Sequence, residues 1–101
     1  MKPNHEQKYI IGLLEGDDAI IQEIYEKFFP MVETYFLNNK GSVDDAKDFF
    51  QNALMIVQKQ GKEGLVIEQT FGGYVMRICK LRWINELNRR SRTFFDIDNQ
   101  P

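Results

Sequence analysis

The chain has 101 residues, 43% apolar and 28% charged, with a formal net charge of −2. That is enough for one domain with a core, too little for two, and too apolar for a disordered acidic chain. The acidic balance argues against a general nucleic-acid coat, and no apolar run approaches the ~20 residues of a membrane span.

Residues 1–7 contain no apolar stretch, so no signal peptide is expected. Cys79 is the one cysteine and His5 the one histidine. This excludes a disulfide framework within the chain and a cysteine-cluster metal site, and it argues against histidine catalysis. No metal, cofactor or enzymatic activity is expected, and a reducing cytoplasm is the default compartment.

Alternating strand patterns and hairpin turn dipeptides are missing, while helical spacing recurs. A first helix is predicted over Glu6 to Glu15, with Tyr9, Ile10, Leu13 and Leu14 on one side and Gly16 as its stop. Asp17-Asp18 opens a second helix reaching about Asn38, since acids suit the partial positive charge of a helix start. Its apolar residues are Ile21, Ile24, Tyr25, Phe28, Val32, Tyr35 and Phe36; Pro30 inside it should bend it.

Ser42 with Asp45 three residues on is a capping-box pattern opening a third helix, Val43 to about Gln60. Gly61 to Gly64 breaks the chain, Leu65 to Gln69 is a loop of mixed polarity, and Thr70 caps a fourth helix reaching about Arg92. Gly72 and Gly73 weaken its first turn by about 1 kcal/mol each, so something beyond local preference must hold it. Residues 93–101 lack periodicity and read as a tail or the start of an interdomain linker after a domain spanning 1–92. The expected fold is all-α, a compact bundle of about four helices.

Two helix faces are unusual. On the third helix, Ala46, Phe49, Phe50, Ala53, Ile56 and Val57 form an apolar stripe, and Asp44, Asp48, Gln51, Asn52, Met55 and Lys59 lie opposite. That side is either simply solvated or a partner surface; Met55 amid an acid and two amides suits a partner. On the fourth helix, Val75, Cys79, Trp83 and Leu87 face the body, with Cys79 as a small core residue. Arg82, Asn85, Arg89 and Arg92 form a separate stripe, which Phe71, Tyr74, Ile78 and Leu81 continue one turn earlier. Residues 1–70 sum to −5, residues 71–92 to +5 and residues 93–101 to −2. The basic stripe is either an arginine-rich end snorkelling on its own domain or a nucleic-acid surface. Guanidinium groups meet phosphates and guanine edges, an Asn amide suits adenine, and aromatics stack on unpaired bases.

Three stretches, covering about Leu13 to Arg92, resemble region 2 of bacterial RNA polymerase sigma factors of the extracytoplasmic-function group. Ala19 to Pro30 is similar to the family's opening long helix, with its tyrosine, aromatics and proline. Asp45-Ala46-Lys47-Asp48-Phe49-Phe50-Gln51-Asn52-Ala53-Leu54 resembles the signature Asp-Ala-Glu-Asp-Leu-Val-Gln-Glu-Val-Phe. Thr70 to Lys80, followed by Leu87-Asn88-Arg89-Arg90, resembles Ser-Phe-Arg-Ala-Trp-Leu-Tyr-Arg-Ile-Ala-Arg and a later Leu-Arg-Arg-Arg. Leu81 stands where the family often has Asn, and Asn85 where it often has Asp.

The resemblance implies a promoter-recognition domain without catalysis by this chain. Asp45, Asp48, Gln51, Asn52 and Met55 would dock on core RNA polymerase. Arg77, Lys80, Arg82, Asn85, Arg89, Arg90 and Arg92 would meet promoter DNA at the minus-ten element. Glu63, Gly64, Leu65, Val66, Ile67, Glu68, Gln69 and Thr70 would form the loop that captures a flipped base of the single-stranded non-template strand. An anti-sigma factor is a further implied partner. A second DNA-binding domain, usual in the family, would follow Pro101 in an excised domain and be missing from a truncated member. The rival reading is a helical protein–protein module that never touches DNA, its basic end docking an acidic partner.

Overall fold

The computed structural model describes residues 5–98, with side chains described through Arg92. Four helices follow in order: α1 (Gln7–Glu15), α2 (Asp18–Asn38), α3 (Val43–Lys62) and α4 (Phe71–Asp98). Among the described residues there is no strand, and the all-α bundle expected from the sequence is what the chain forms.

The helix ends follow from local chemistry. Gly16 closes α1 at φ 65°, a left-handed conformation that a Cβ would strain. The Asp17 carboxylate accepts the Ala19 and Ile20 N–H groups at 3.1 and 3.3 Å and opens α2. Helix α2 then runs unbroken through Pro30 to Asn38, and the Thr34 hydroxyl donates to the Pro30 carbonyl at 3.0 Å. Ser42 and Asp45 form the reciprocal capping box of α3: each backbone N–H donates to the other's side chain, at 2.9 and 3.0 Å. The Thr70 hydroxyl accepts the Gly73 N–H at 3.2 Å.

The weak first turn of α4 is held by tertiary packing. A Cβ on Gly72 would lie 2.8 Å from Phe28 Cδ1 and 2.9 Å from Met31 Cε, so glycine is what allows α4 to lie close against α2. The Phe71 N–H, otherwise unpartnered at a helix start, donates to Glu6 Oε1 at 3.0 Å. Glu6 opens α1 without capping it through its side chain; its carboxylate serves α4 instead.

Helix α3 packs against the other three helices. Aromatic rings dominate the core at both ends. Tyr9, Phe28 and Phe71 cluster with centroids 5.0 to 5.4 Å apart, and Phe36, Phe49 and Trp83 cluster at 4.8 to 5.4 Å. Each cluster also satisfies its polar atom. The Tyr9 hydroxyl donates to Glu23 at 2.7 Å and accepts from Lys27 at 3.2 Å. That bond from Tyr9 is the main reason the Glu23 carboxyl lies below its ordinary range. The Trp83 indole N–H donates to the Asn39 carbonyl at 2.8 Å, tying α4 to the end of α2.

Several expectations are corrected. Phe71, placed on the line of the basic stripe, is fully buried, because α4 begins by inserting its first residue between α1 and α2. Ile67 and Leu54 are core residues. Leu14 and Tyr25 are more than one-third exposed, at 36% and 41%; each lies at the rim of its helix's buried stripe. Beyond Arg92, where a tail was expected, α4 continues to Asp98; the remainder of that segment, 99–101, lies outside the described residues.

Candidate nucleic-acid interface

On α3, Asp44, Asp48, Gln51, Asn52, Met55 and Lys59 are all exposed, and Met55 is 60% exposed. The spacing therefore puts these groups where it predicts, on the outer side of the helix. Asp45 is different. It caps Ser42 and sits 3.5 Å from an Arg90 guanidinium nitrogen. The Ser42 backbone N–H, then the Ser42 hydroxyl and Arg90, hold its carboxyl below the usual carboxylate range. It is a structural residue with little left to offer a partner.

The seven candidate DNA-binding residues of α4 separate into three groups. Arg82, Asn85, Arg89 and Arg92 share one side and, with Phe49, Asn52 and Glu86, line a groove of about 410 Å³ between α3 and α4. Arg90 lies about 100° further round the helix. Its guanidinium sits 5.0 Å above the Trp83 ring and bonds Glu86 and Asp45, so it fastens α4 to the start of α3 rather than joining the stripe. Arg77 and Lys80 lie on the opposite flank, where they border a hollow with Gly73, Met76 and Leu81; Lys80 Nζ stands 5.2 Å over the Tyr35 ring.

Glu86 organises the groove. Its carboxylate accepts two hydrogen bonds from Arg89, at 2.9 and 2.6 Å, and one from Arg90 at 3.0 Å. These bonds, Arg89's first, pull its carboxyl down to about 2, so it is ionised at any physiological pH. Arg89 is correspondingly pushed up. Among the described residues, Arg82 and Arg92 make no ion pair.

The Glu63–Thr70 segment is also divided. Gln7 binds its backbone with both ends of the side-chain amide, donating to the Leu65 carbonyl at 3.1 Å and accepting the Ile67 N–H at 2.9 Å. Ile67 is 2% exposed and Leu65 half-buried, so these two anchor the loop and cannot capture a base. Thr70 is occupied as the cap of α4. Glu63, Gly64, Val66, Glu68 and Gln69 remain on the outside, Val66 at 62%.

Three residues that sequence reasoning placed on α3, without joining them to the basic stripe, border the same groove. Phe49 was assigned to the core, yet it also lines the groove. Lys59 and Ile56 join Asn52, Met55 and Arg82 around a second hollow of about 330 Å³. The short α3–α4 connection signals that these helices are neighbours, but only coordinates reveal their relative rotation. Cys79 is buried as expected, and desolvation pushes its thiol up to about 12. Among the described residues no cluster of His, Cys, Asp or Glu is placed to hold a metal, and no helix is long and apolar enough to cross a membrane.

No family model, curated protein or solved structure matches this chain.

Proposed function

We propose that this chain is a sigma-factor region 2 domain of the extracytoplasmic-function type. It docks on core RNA polymerase in the bacterial cytoplasm and recognises and opens the minus-ten promoter element. The observation that carries the reading is the disposition of two exposed sets on one small bundle. Asp48, Gln51 and Met55 lie on the outside of α3, and Arg82, Asn85, Arg89 and Arg92 lie along one side of α4.

The chemistry is binding without catalysis by this chain. Removing a base from the duplex costs a few kcal/mol, and holding it unpaired offsets that cost. Arginines on the backbone of the displaced strand steer and retain it. Asp48 supplies a carboxylate for a charge-assisted bond to a cationic group on the polymerase, with Met55 as an adaptable apolar contact. The exposed part of the 63–70 loop, Val66 and Glu68 foremost, would receive the flipped base. An anti-sigma factor would act by covering one of these faces.

Two measurements test this. Asp48→Ala and Gln51→Ala are expected to weaken capture of bacterial core RNA polymerase with the thermal unfolding curve unchanged; unaltered capture removes the docking assignment. Affinity for a single-stranded minus-ten oligonucleotide should fall steeply with salt. Arg82→Ala should lower the slope of log affinity against log salt by about 0.7. A flat salt dependence favours the rival, a protein–protein module whose basic end meets an acidic partner.

A further inference from the structure

The groove between α3 and α4 is longer than the arginine stripe. Its two hollows share Asn52 and Arg82. They therefore adjoin, the first bordered by Arg92, Arg89 and Asn85, the second by Lys59, Ile56 and Met55, where the track meets the docking face. Arg82 to Arg92 alone spans roughly 15 Å at the helical rise. Four cations border the track: Lys59, Arg82, Arg89 and Arg92. Among the described residues its one acid is Glu86, held by Arg89 and Arg90, so Arg89 is already paired within the groove while Lys59, Arg82 and Arg92 add positive charge. Half-buried Phe49 lines the first hollow, and two amides, Asn52 from α3 and Asn85 from α4, border the same hollow.

Cations, an aromatic and amides lining one groove are the kinds of group that hold an unpaired nucleotide: cations for phosphate, a ring for base contact, an amide for a base edge. We infer that this groove is the track for the unpaired strand, and that Asn52 is a base-reading residue paired with Asn85 rather than part of the polymerase-docking face. The inference rests on the function proposed above and takes Asn52 out of the docking set that the resemblance implies. An amide hydrogen-bonding a base edge contributes sequence preference, whereas the arginines contribute affinity for any strand. Asn52 is exposed and packs in no core cluster, so its removal leaves the fold intact.

The test uses the full chain and fluorescein-labelled single strands of ~12 nucleotides that differ at one adenine, followed by fluorescence anisotropy at several salt concentrations. Asn52→Ala is expected to lose roughly tenfold in preference for the adenine strand, the scale of one amide–base pair, with the salt slope unchanged. Asn85→Ala should do the same, and Arg82→Ala should weaken both strands alike. If Asn52→Ala binds and discriminates as the wild type does, the inference is overturned while the function stands. If Asn52→Ala instead weakens capture of core polymerase, Asn52 belongs to the docking face and the inference is again overturned. Equal affinity for the matching duplex also overturns it. Loss of single-strand binding by the wild-type chain at low salt overturns both readings.

Discussion

Gln7 holds the 63–70 loop by two hydrogen bonds to its backbone, at 3.1 and 2.9 Å, across 58 and 60 residues of sequence. Gln7→Ala removes both. A net contribution of about 1 kcal/mol per bond gives about 2 kcal/mol. A little more is lost if the Ile67 N–H stays buried without water, and a little less if the loop lifts enough to hydrate it. For a domain of this size that is a fall in Tm on the order of 10 °C. Gln58→Ala is the internal control. Gln58 makes a single comparable bond, donating to the Leu13 carbonyl at 2.9 Å, so about half the effect is expected. Thermal unfolding followed by circular dichroism gives the global term, and hydrogen exchange at the Ile67 amide gives the local one. Protection there should fall in Gln7→Ala and persist in Gln58→Ala. If Gln7→Ala melts with the wild type and the Ile67 amide stays protected, burial of Ile67 alone anchors the loop and the reasoning fails.

Three further outcomes are expected. Glu86 titrates far below the unfolded carboxylate value of about 4.3, so the stability it contributes is full above that value and is lost as pH falls from there toward about 2. Wild type and Glu86→Gln should therefore differ in urea midpoint near neutrality and converge in acid; a gap independent of pH would refute this. Cys79 should resist aromatic disulfide reagents at about pH 8 in the native protein and react at once in denaturant, because its thiol is both buried and pushed up to about 12; rapid native labelling would contradict its placement. Trp83→Phe keeps most of the ring contacts with Phe36 and Phe49 but leaves the Asn39 carbonyl without its donor, and should cost about 1–3 kcal/mol in chemical denaturation.

Local chemistry was legible in the sequence. Gly16, Asp17, the Ser42–Asp45 box and Thr70 mark helix ends that the coordinates reproduce, because a cap depends on residues three or four apart. The apolar stripes of α2 and α3 were legible for the same reason. Interactions of long sequence separation were not. Nothing near Glu6 or Gln7 announces that these side chains close the start of α4 and the loop before it. Phe71 and Tyr74 share a helical line, yet one is sealed between α1 and α2 and the other donates its hydroxyl to Gln60. The angle of one helix against another decides which. The candidate site shows the same division. The stripe of α4 was readable by counting, while its meeting with Asn52 and Lys59 follows from how α3 is turned.

Glu6 and Gln7, adjacent near the beginning of the chain, hold Leu65, Ile67 and Phe71. The contacts that fix the loop and the first turn of α4 therefore join groups 58 to 65 residues apart in sequence. Late closure of a distant pair is slow because the loop between them must first be confined. One wall of the α3–α4 groove is thus secured from a distance: α4 takes its place only when the residues that open α1 have reached its first turn.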